Sequence, residues 1–121
     1  MSDLQMGTNE SKFANLIWEN EPITSSELAK QSEELLGWKK TTSYTVLKRL
    51  CDKGIFQNEK GTVTSLISRD EFFAIQSQQF VDETFQGSLP ALFAAFTKRK
   101  ALSAKEIDEL RRMIDEYEEA K

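Results

Sequence analysis

Residues 39–60 carry side chains whose chemistry suits an anionic polymer. Lysine and arginine can reach phosphate oxygens or guanine acceptors, and threonine and tyrosine hydroxyls can donate to phosphates or to base edges. A threonine methyl can also touch a thymine methyl. We assign this chemistry to Lys39, Lys40, Thr41, Thr42, Tyr44, Thr45, Lys48, Arg49 and Lys60.

The charge distribution supports that assignment, although the net charge is −4. Residues 37–69 hold seven basic and two acidic side chains, whereas residues 1–36 hold two basic and seven acidic ones, and residues 70–121 hold seven and eleven. A basic block between acidic segments is typical of a surface for an anionic partner. A basic face that is only solvated is the alternative that charge alone leaves open.

The composition removes the parts of most catalytic and metal sites. The chain has no histidine and one cysteine, Cys51, which excludes Ser-His-Asp triads, Cys-His pairs, histidine metal sites and an intramolecular disulfide. Adjacent acids such as Asp108 and Glu109 fall on a predicted helix with the spacing of a solvated face. We therefore predict no enzyme, cofactor or metal. For Cys51, a small buried apolar role is favoured over a redox role.

The chain also shows no signal for export or for a membrane. Its longest nearly apolar run, residues 89–96, is too short to span a bilayer, and no basic and apolar leader opens the sequence. We expect a soluble cytoplasmic protein. A chain of 121 residues buries only a thin core, which is consistent with an oligomer.

Two helices are predicted in the first third of the chain. The spacing of apolar residues predicts the first over 9–20. A Thr-Ser-Ser-Glu capping box then begins a second helix over 25–36, with the Thr24 hydroxyl accepting from the Glu27 amide and the Glu27 carboxylate reaching back to the Thr24 amide. The residues that we expect this helix to bury are Leu28, Ala29 and Leu35.

A third helix and a hairpin follow. The helix is predicted over 41–53, with Val46, Leu47 and Leu50 inward, and the hairpin has a turn at 58–61. Three short helices and a hairpin are the order of a winged helix-turn-helix, whose last helix enters the major groove. Two alternatives stay open for single residues. Thr41 or Thr42 can instead cap the helix, and Arg49 can form a structural ion pair.

The last third predicts three more helices. They cover residues 70–86, residues 89–98 after Gly87, and a stretch that starts at a Ser-Ala-Lys-Glu capping box and runs to about residue 119. The fold class is therefore mainly α with a small β hairpin. It divides into a DNA-binding domain at 1–69 and a C-terminal helical region at 70–121.

The whole sequence resembles the penicillinase-repressor family of bacterial transcription regulators, of the BlaI, MecI and CopY type. The matching stretches follow the family's order: a first helix that ends in Leu-Ile-Trp at 16–18, a recognition helix at 42–50, the entry to a linker helix at 68–72, and a C-terminal region at 87–110.

The resemblance implies a homodimer that represses transcription from an inverted-repeat operator and dimerises through its C-terminal helices. A helical tail rich in Phe and Leu agrees, since one short chain offers it little surface to cover; an ordinary monomer core is the alternative. The residues that we assign to dimerisation are Phe72, Phe73, Ile75, Phe80, Val81, Leu89, Leu92, Phe93, Phe96, Ile107, Leu110 and Ile114.

The chain departs from the family at three places. Ser43 replaces an apolar β-branched residue, which predicts looser packing under the third helix. The cysteine-rich tail of the copper-responsive branch is missing. The antibiotic-responsive branch is cleaved at an Asn-Phe bond by a regulatory protease, and the matching bond here is Ala95-Phe96. The competing function is a winged-helix protein-interaction module without sequence-specific DNA binding.

Overall fold

A computed structural model describes residues 6–121, and the chain divides into two compact units, Met1–Gln79 and Phe80–Lys121. The described part is mainly helical with a small sheet, which confirms the predicted fold class. In chain order, the elements are α1 (Thr8–Asn20), β1 (Ile23–Thr24), α2 (Ser25–Leu36), α3 (Lys40–Asp52), β2 (Phe56–Glu59), β3 (Thr62–Ser65), α4 (Arg69–Phe85), α5 (Leu89–Arg99) and α6 (Ala104–Ala120).

The first unit has the arrangement of a winged helix. Its antiparallel sheet has the order β1-β3-β2, so the extended link predicted after α1 is a short strand that pairs Ile23 with Val63. The buried faces of α1, α2 and α3 pack with this sheet around one apolar core. The largest fully buried side chains include Phe13, Phe56 and Phe72, and the Trp38 ring stacks on Phe13 at 5.2 Å between centroids. This core holds α3 against α2 as a helix-turn-helix pair.

Two expectations for α2 were wrong in part. Thr24 accepts from the Glu27 amide at 3.1 Å, as predicted, but the Glu27 carboxylate accepts from the side-chain amide of Gln31 instead of closing the capping box. Leu35, predicted to be buried, is 65% exposed. Ser32 takes the buried position instead, because its hydroxyl donates to the Leu28 carbonyl at 2.8 Å and so carries no unpaired polar group into the core.

The hairpin turn is tighter than predicted. The strands continue through Asn58 and Glu59, and only Lys60 and Gly61 form the loop. Both loop residues have positive φ, at 54° and 90°, which is the geometry of a type I′ turn. The side chain of Asn58 accepts from the Gly61 amide at 3.0 Å and steadies the turn.

The C-terminal helices begin at the signals that the sequence predicted. Ser88 caps α5 by accepting from the Ala91 amide, and Ser103 and Glu106 form the complete capping box of α6. Gly87, with φ of 83°, ends the preceding helix. Neither α5 nor α6 buries a residue completely. Among the described residues, no helix is long and apolar enough to cross a membrane.

Candidate nucleic-acid interface

Helix α3 presents one buried face and one polar, exposed face. Its buried residues are Ser43, Val46, Leu47 and Leu50. The exposed residues include Lys40, Thr41, Thr42, Tyr44, Thr45 and Lys48. The structure therefore brings the predicted contact residues of α3 onto one surface of the first unit. Lysine, threonine and tyrosine together supply donors for phosphates and for base edges in the major groove.

The start of α3 differs from the sequence expectation. The N-cap residue is Lys39, whose backbone is extended and whose side chain makes no capping bond, so neither Thr41 nor Thr42 caps the helix. The Thr41 carbonyl instead accepts from the hydroxyl of Thr45 at 2.9 Å. Because no side chain in the described residues caps the first turn, its amides remain available to an anion.

Arg49 forms the ion pair that the sequence left as an alternative. Its Nη1 atom lies 2.6 Å from an oxygen of Glu10, which ties α3 to α1. Burial raises the pKa of Glu10, but hydrogen bonds from Arg49 and the Gly7 amide, together with the charges of Lys53 and Arg49, lower that pKa below its usual value overall. Sequence reasoning missed Glu10, since nothing local connects two residues 39 positions apart.

The other four cations of the predicted surface, Lys39, Lys40, Lys48 and Lys60, are exposed. Lys48 pairs with Asp52 one turn further along α3, at 3.3 Å, and both side chains are largely in solvent. Such a pair is weak and readily exchanged for a phosphate. Lys60 lies at the tip of the β2–β3 hairpin.

Cys51 lies beside the core and is partly buried. Burial and the neighbouring Asp52 raise the pKa of its thiol, against a smaller lowering effect of Lys48. A raised thiol pKa leaves little reactive thiolate at neutral pH, which favours the packing role. No group of carboxylates and thiols that could hold a metal occurs among residues 6–121.

The second unit presents an apolar face. An open groove of about 940 Å³ is lined from α5 by Leu89, Phe93 and Phe96 and from α6 by Leu110 and Ile114, with five further residues. All five of the residues named here are exposed in the single chain. Leu92 and Ile107 from the predicted dimerisation set are half-buried in the same unit.

The α4 residues that were assigned to dimerisation differ in how deeply they are buried. Phe72 is only 1% exposed and belongs to the core of its own chain, so its assignment to a dimer contact was wrong. Phe73 and Phe80 are about half exposed, and Ile75 and Val81 are intermediate. Sequence periodicity could not separate these cases, because the apolar residues of α4 are spread around the helix instead of lying on one face.

The chain is similar in sequence to known proteins over nearly its whole length. The family model described as "Penicillinase repressor" matches residues 6–116. The penicillinase repressor of Bacillus licheniformis is 27% identical, over 97% of this chain and 94% of its own. The methicillin resistance regulatory protein MecI of Staphylococcus aureus (strain Mu50 / ATCC 700699) is 24% identical, over 92% of this chain and 94% of its own. The match extends over both units, and the chain belongs to the penicillinase repressor family.

Proposed function

We propose that two copies of this chain bind an inverted-repeat operator in bacterial DNA and repress transcription from it in the cytoplasm. Membership of a family of DNA-binding transcriptional repressors supports the role of a repressor over that of an enzyme. The observation that carries the proposal is the exposed polar face of α3, held by a buried apolar face in a winged helix-turn-helix.

In the proposed complex, the DNA-binding domain is residues 1–69. Tyr44, Thr45 and Lys48 face base edges in the major groove, while Lys39 and Lys40 approach a phosphate together with the open amides of the first turn of α3. Lys60 contacts the backbone from the wing. Arg49 acts indirectly, through its ion pair with Glu10, by fixing α3 against α1.

The proposed dimer forms through the apolar face of the second unit. An apolar groove lined by large side chains that are exposed in the single chain is typical of an association surface. A second copy is the occupant that an inverted repeat requires, because the two-fold symmetry of the DNA mirrors that of the protein. Residues 70–121, apart from the core residue Phe72, are therefore proposed as the dimerisation region.

Release by a regulatory protease at Ala95-Phe96 is part of the same proposal. The bond lies inside α5, and Phe96 lines the apolar groove, so cleavage there removes part of the proposed dimer surface. In cells treated with a cell-wall antibiotic, we expect a shortened chain to appear as target genes are derepressed. Derepression with the chain intact would contradict this route of release.

A selection of fragmented genomic DNA on the purified protein tests the proposed function. Enrichment of a two-fold symmetric site is expected, with an affinity that falls roughly as the −0.9 power of salt concentration for each phosphate neutralised. DNA retained without sequence preference would contradict the repressor mechanism. No retention at low salt, together with a stoichiometric protein partner, would favour the protein-interaction module.

Lys48→Ala tests the base-contact assignment on α3. Affinity for the selected operator should fall by about tenfold. The ratio of the affinity for that operator to the affinity for random DNA should also decrease. Lys12→Ala, which removes an exposed cation from α1, is the matched control and should change neither quantity. An equal loss on specific and random DNA would assign Lys48 to phosphate contact alone.

A further inference from the structure

We propose that a cluster at the start of α4 selects operators by the distance between their two half-sites. We call this cluster the α4 clamp and define it as Trp18, Glu19, Arg69 and Phe73. The proposal rests on the dimeric repressor proposed above. It adds a determinant of specificity that acts through the direction of a helix.

Trp18 anchors the segment that leads into α4. It lies in the last turn of α1, and its indole Nε1 donates to the carbonyl of Ile67 at 3.0 Å. Its ring packs against Phe56 and Phe72 with centroid distances of 5.1 and 5.6 Å. The indole thus joins α1, the wing and the chain that enters α4.

Arg69 fixes the first turn of α4. Its guanidinium carbon lies 5.9 Å from the centroid of the Trp18 ring, and its Nη2 lies 3.5 Å from an oxygen of Glu19. Both interactions orient a helix end against α1. Each is modest in energy because both partners are partly in solvent.

Phe73 adds a contact one turn further along. Its ring lies 6.5 Å from Trp18 in an edge-on arrangement and 5.9 Å from the buried ring of Phe72. Positions 69, 72 and 73 share one helix face, so the first turn of α4 is held at several positions against α1. These contacts give the start of α4 a defined direction within the first unit.

The length of α4 turns small changes of direction into large displacements. Its 17 residues span about 25 Å, so a tilt of about 10° at the start moves the far end by about 4 Å. One base pair displaces a half-site by about 3.4 Å and rotates it by about 35°. In the proposal, a loosened clamp supplies both this tilt and a turn of α4 about its own axis, so that the dimer reaches operators with different spacings.

The test uses the full chain and a set of duplexes that carry the selected operator with zero, one or two base pairs added or removed between half-sites. Wild type should lose affinity about tenfold or more for one base pair. Arg69→Gln and Glu19→Gln each remove one partly exposed partner and should fold. In both variants that loss should shrink to about threefold or less. Lys12→Ala is the control with wild-type spacing preference.

A duplex with a single half-site separates the possible failures. The proposal expects both clamp variants to bind it as wild type does. An unchanged spacing profile in Arg69→Gln, Glu19→Gln and Phe73→Ala would overturn the clamp. A matching loss on the single half-site would show direct DNA contact by Arg69 and would also overturn it. Failure of wild type itself to prefer two half-sites would instead overturn the proposed dimeric repressor.

Discussion

At the scale of single residues, the two buried serines of the helix-turn-helix make an informative pair. Ser32 on α2 donates its hydroxyl to a backbone carbonyl, whereas the hydroxyl of Ser43 on α3 is buried without a hydrogen-bond partner among the described residues. An unpaired buried hydroxyl costs stability, and serine is also a weaker helix former than alanine. The buried Ser43 hydroxyl is thus a local defect under the proposed recognition helix.

Ser43→Ala should raise the free energy of unfolding by about 1 kcal/mol, because it removes that unpaired group. Chemical denaturation measures the change, and Ser32→Ala provides the matched control. The control should be neutral or destabilising, since it removes a hydroxyl that is hydrogen-bonded. Equal destabilisation by both substitutions would show that Ser43 has a partner in solution.

The ion pair between Glu10 and Arg49 predicts a pH dependence of stability. The folded pKa of Glu10 lies below its usual value of 4.5, so the pair's contribution is complete above about pH 4.5 and is lost as the pH falls through the folded pKa. The difference in unfolding free energy between wild type and Glu10→Gln should therefore shrink on acidification below that pH. Glu34→Gln, at an exposed position on α2, is the matched control and should change the free energy of unfolding little. A constant difference for Glu10 would contradict the assignment.

At the scale of elements, local signals predicted most of the structure. The capping serines and the glycines with positive φ mark the ends of helices, so these boundaries agreed within a residue or two with the structure. Tertiary choices were harder to predict. The exposure of Leu35, the core position of Phe72 and the partnership of Arg49 with Glu10 each depend on residues distant in sequence. The exposed face of α3 was predicted from the spacing of its apolar residues, but its N-cap residue, Lys39, was not predicted.

The wing turn predicts opposite effects on stability and on DNA binding. Lys60 has a φ of 54°, a conformation that asparagine tolerates better than lysine. Lys60→Asn should raise the free energy of unfolding by about 0.5 kcal/mol while weakening DNA binding, with the salt slope reduced by about 0.9 per protomer. Sequence preference should not change. Lys60→Arg, which keeps the charge, should retain affinity. Unchanged binding by Lys60→Asn would exclude the wing contact.

At the scale of the whole molecule, the two units differ in how far they bury their apolar side chains. The first unit encloses an apolar core and exposes a few large apolar side chains such as Leu35, whereas α5 and α6 of the second unit bury no residue completely and leave large apolar side chains in solvent. Exposing that much apolar surface is unfavourable for an isolated chain. In the proposed dimer, association of two copies removes this surface from water and supplies the second DNA-binding unit that a two-fold operator needs.

Ile114 and Leu35 provide a matched test of that association, because both are 65% exposed in the single chain. Ile114 lines the groove of the second unit, and Leu35 lies on α2 of the first. Ile114→Glu places a charge in the proposed contact and should raise the dimer dissociation constant by about a hundredfold or more, since an unpaired charge is costly to bury. Leu35→Glu should leave that constant unchanged. Sedimentation velocity over a range of concentrations measures both, with circular dichroism to show that the helices persist. Dissociation by both variants, or by neither, would contradict a dimer formed through α5 and α6.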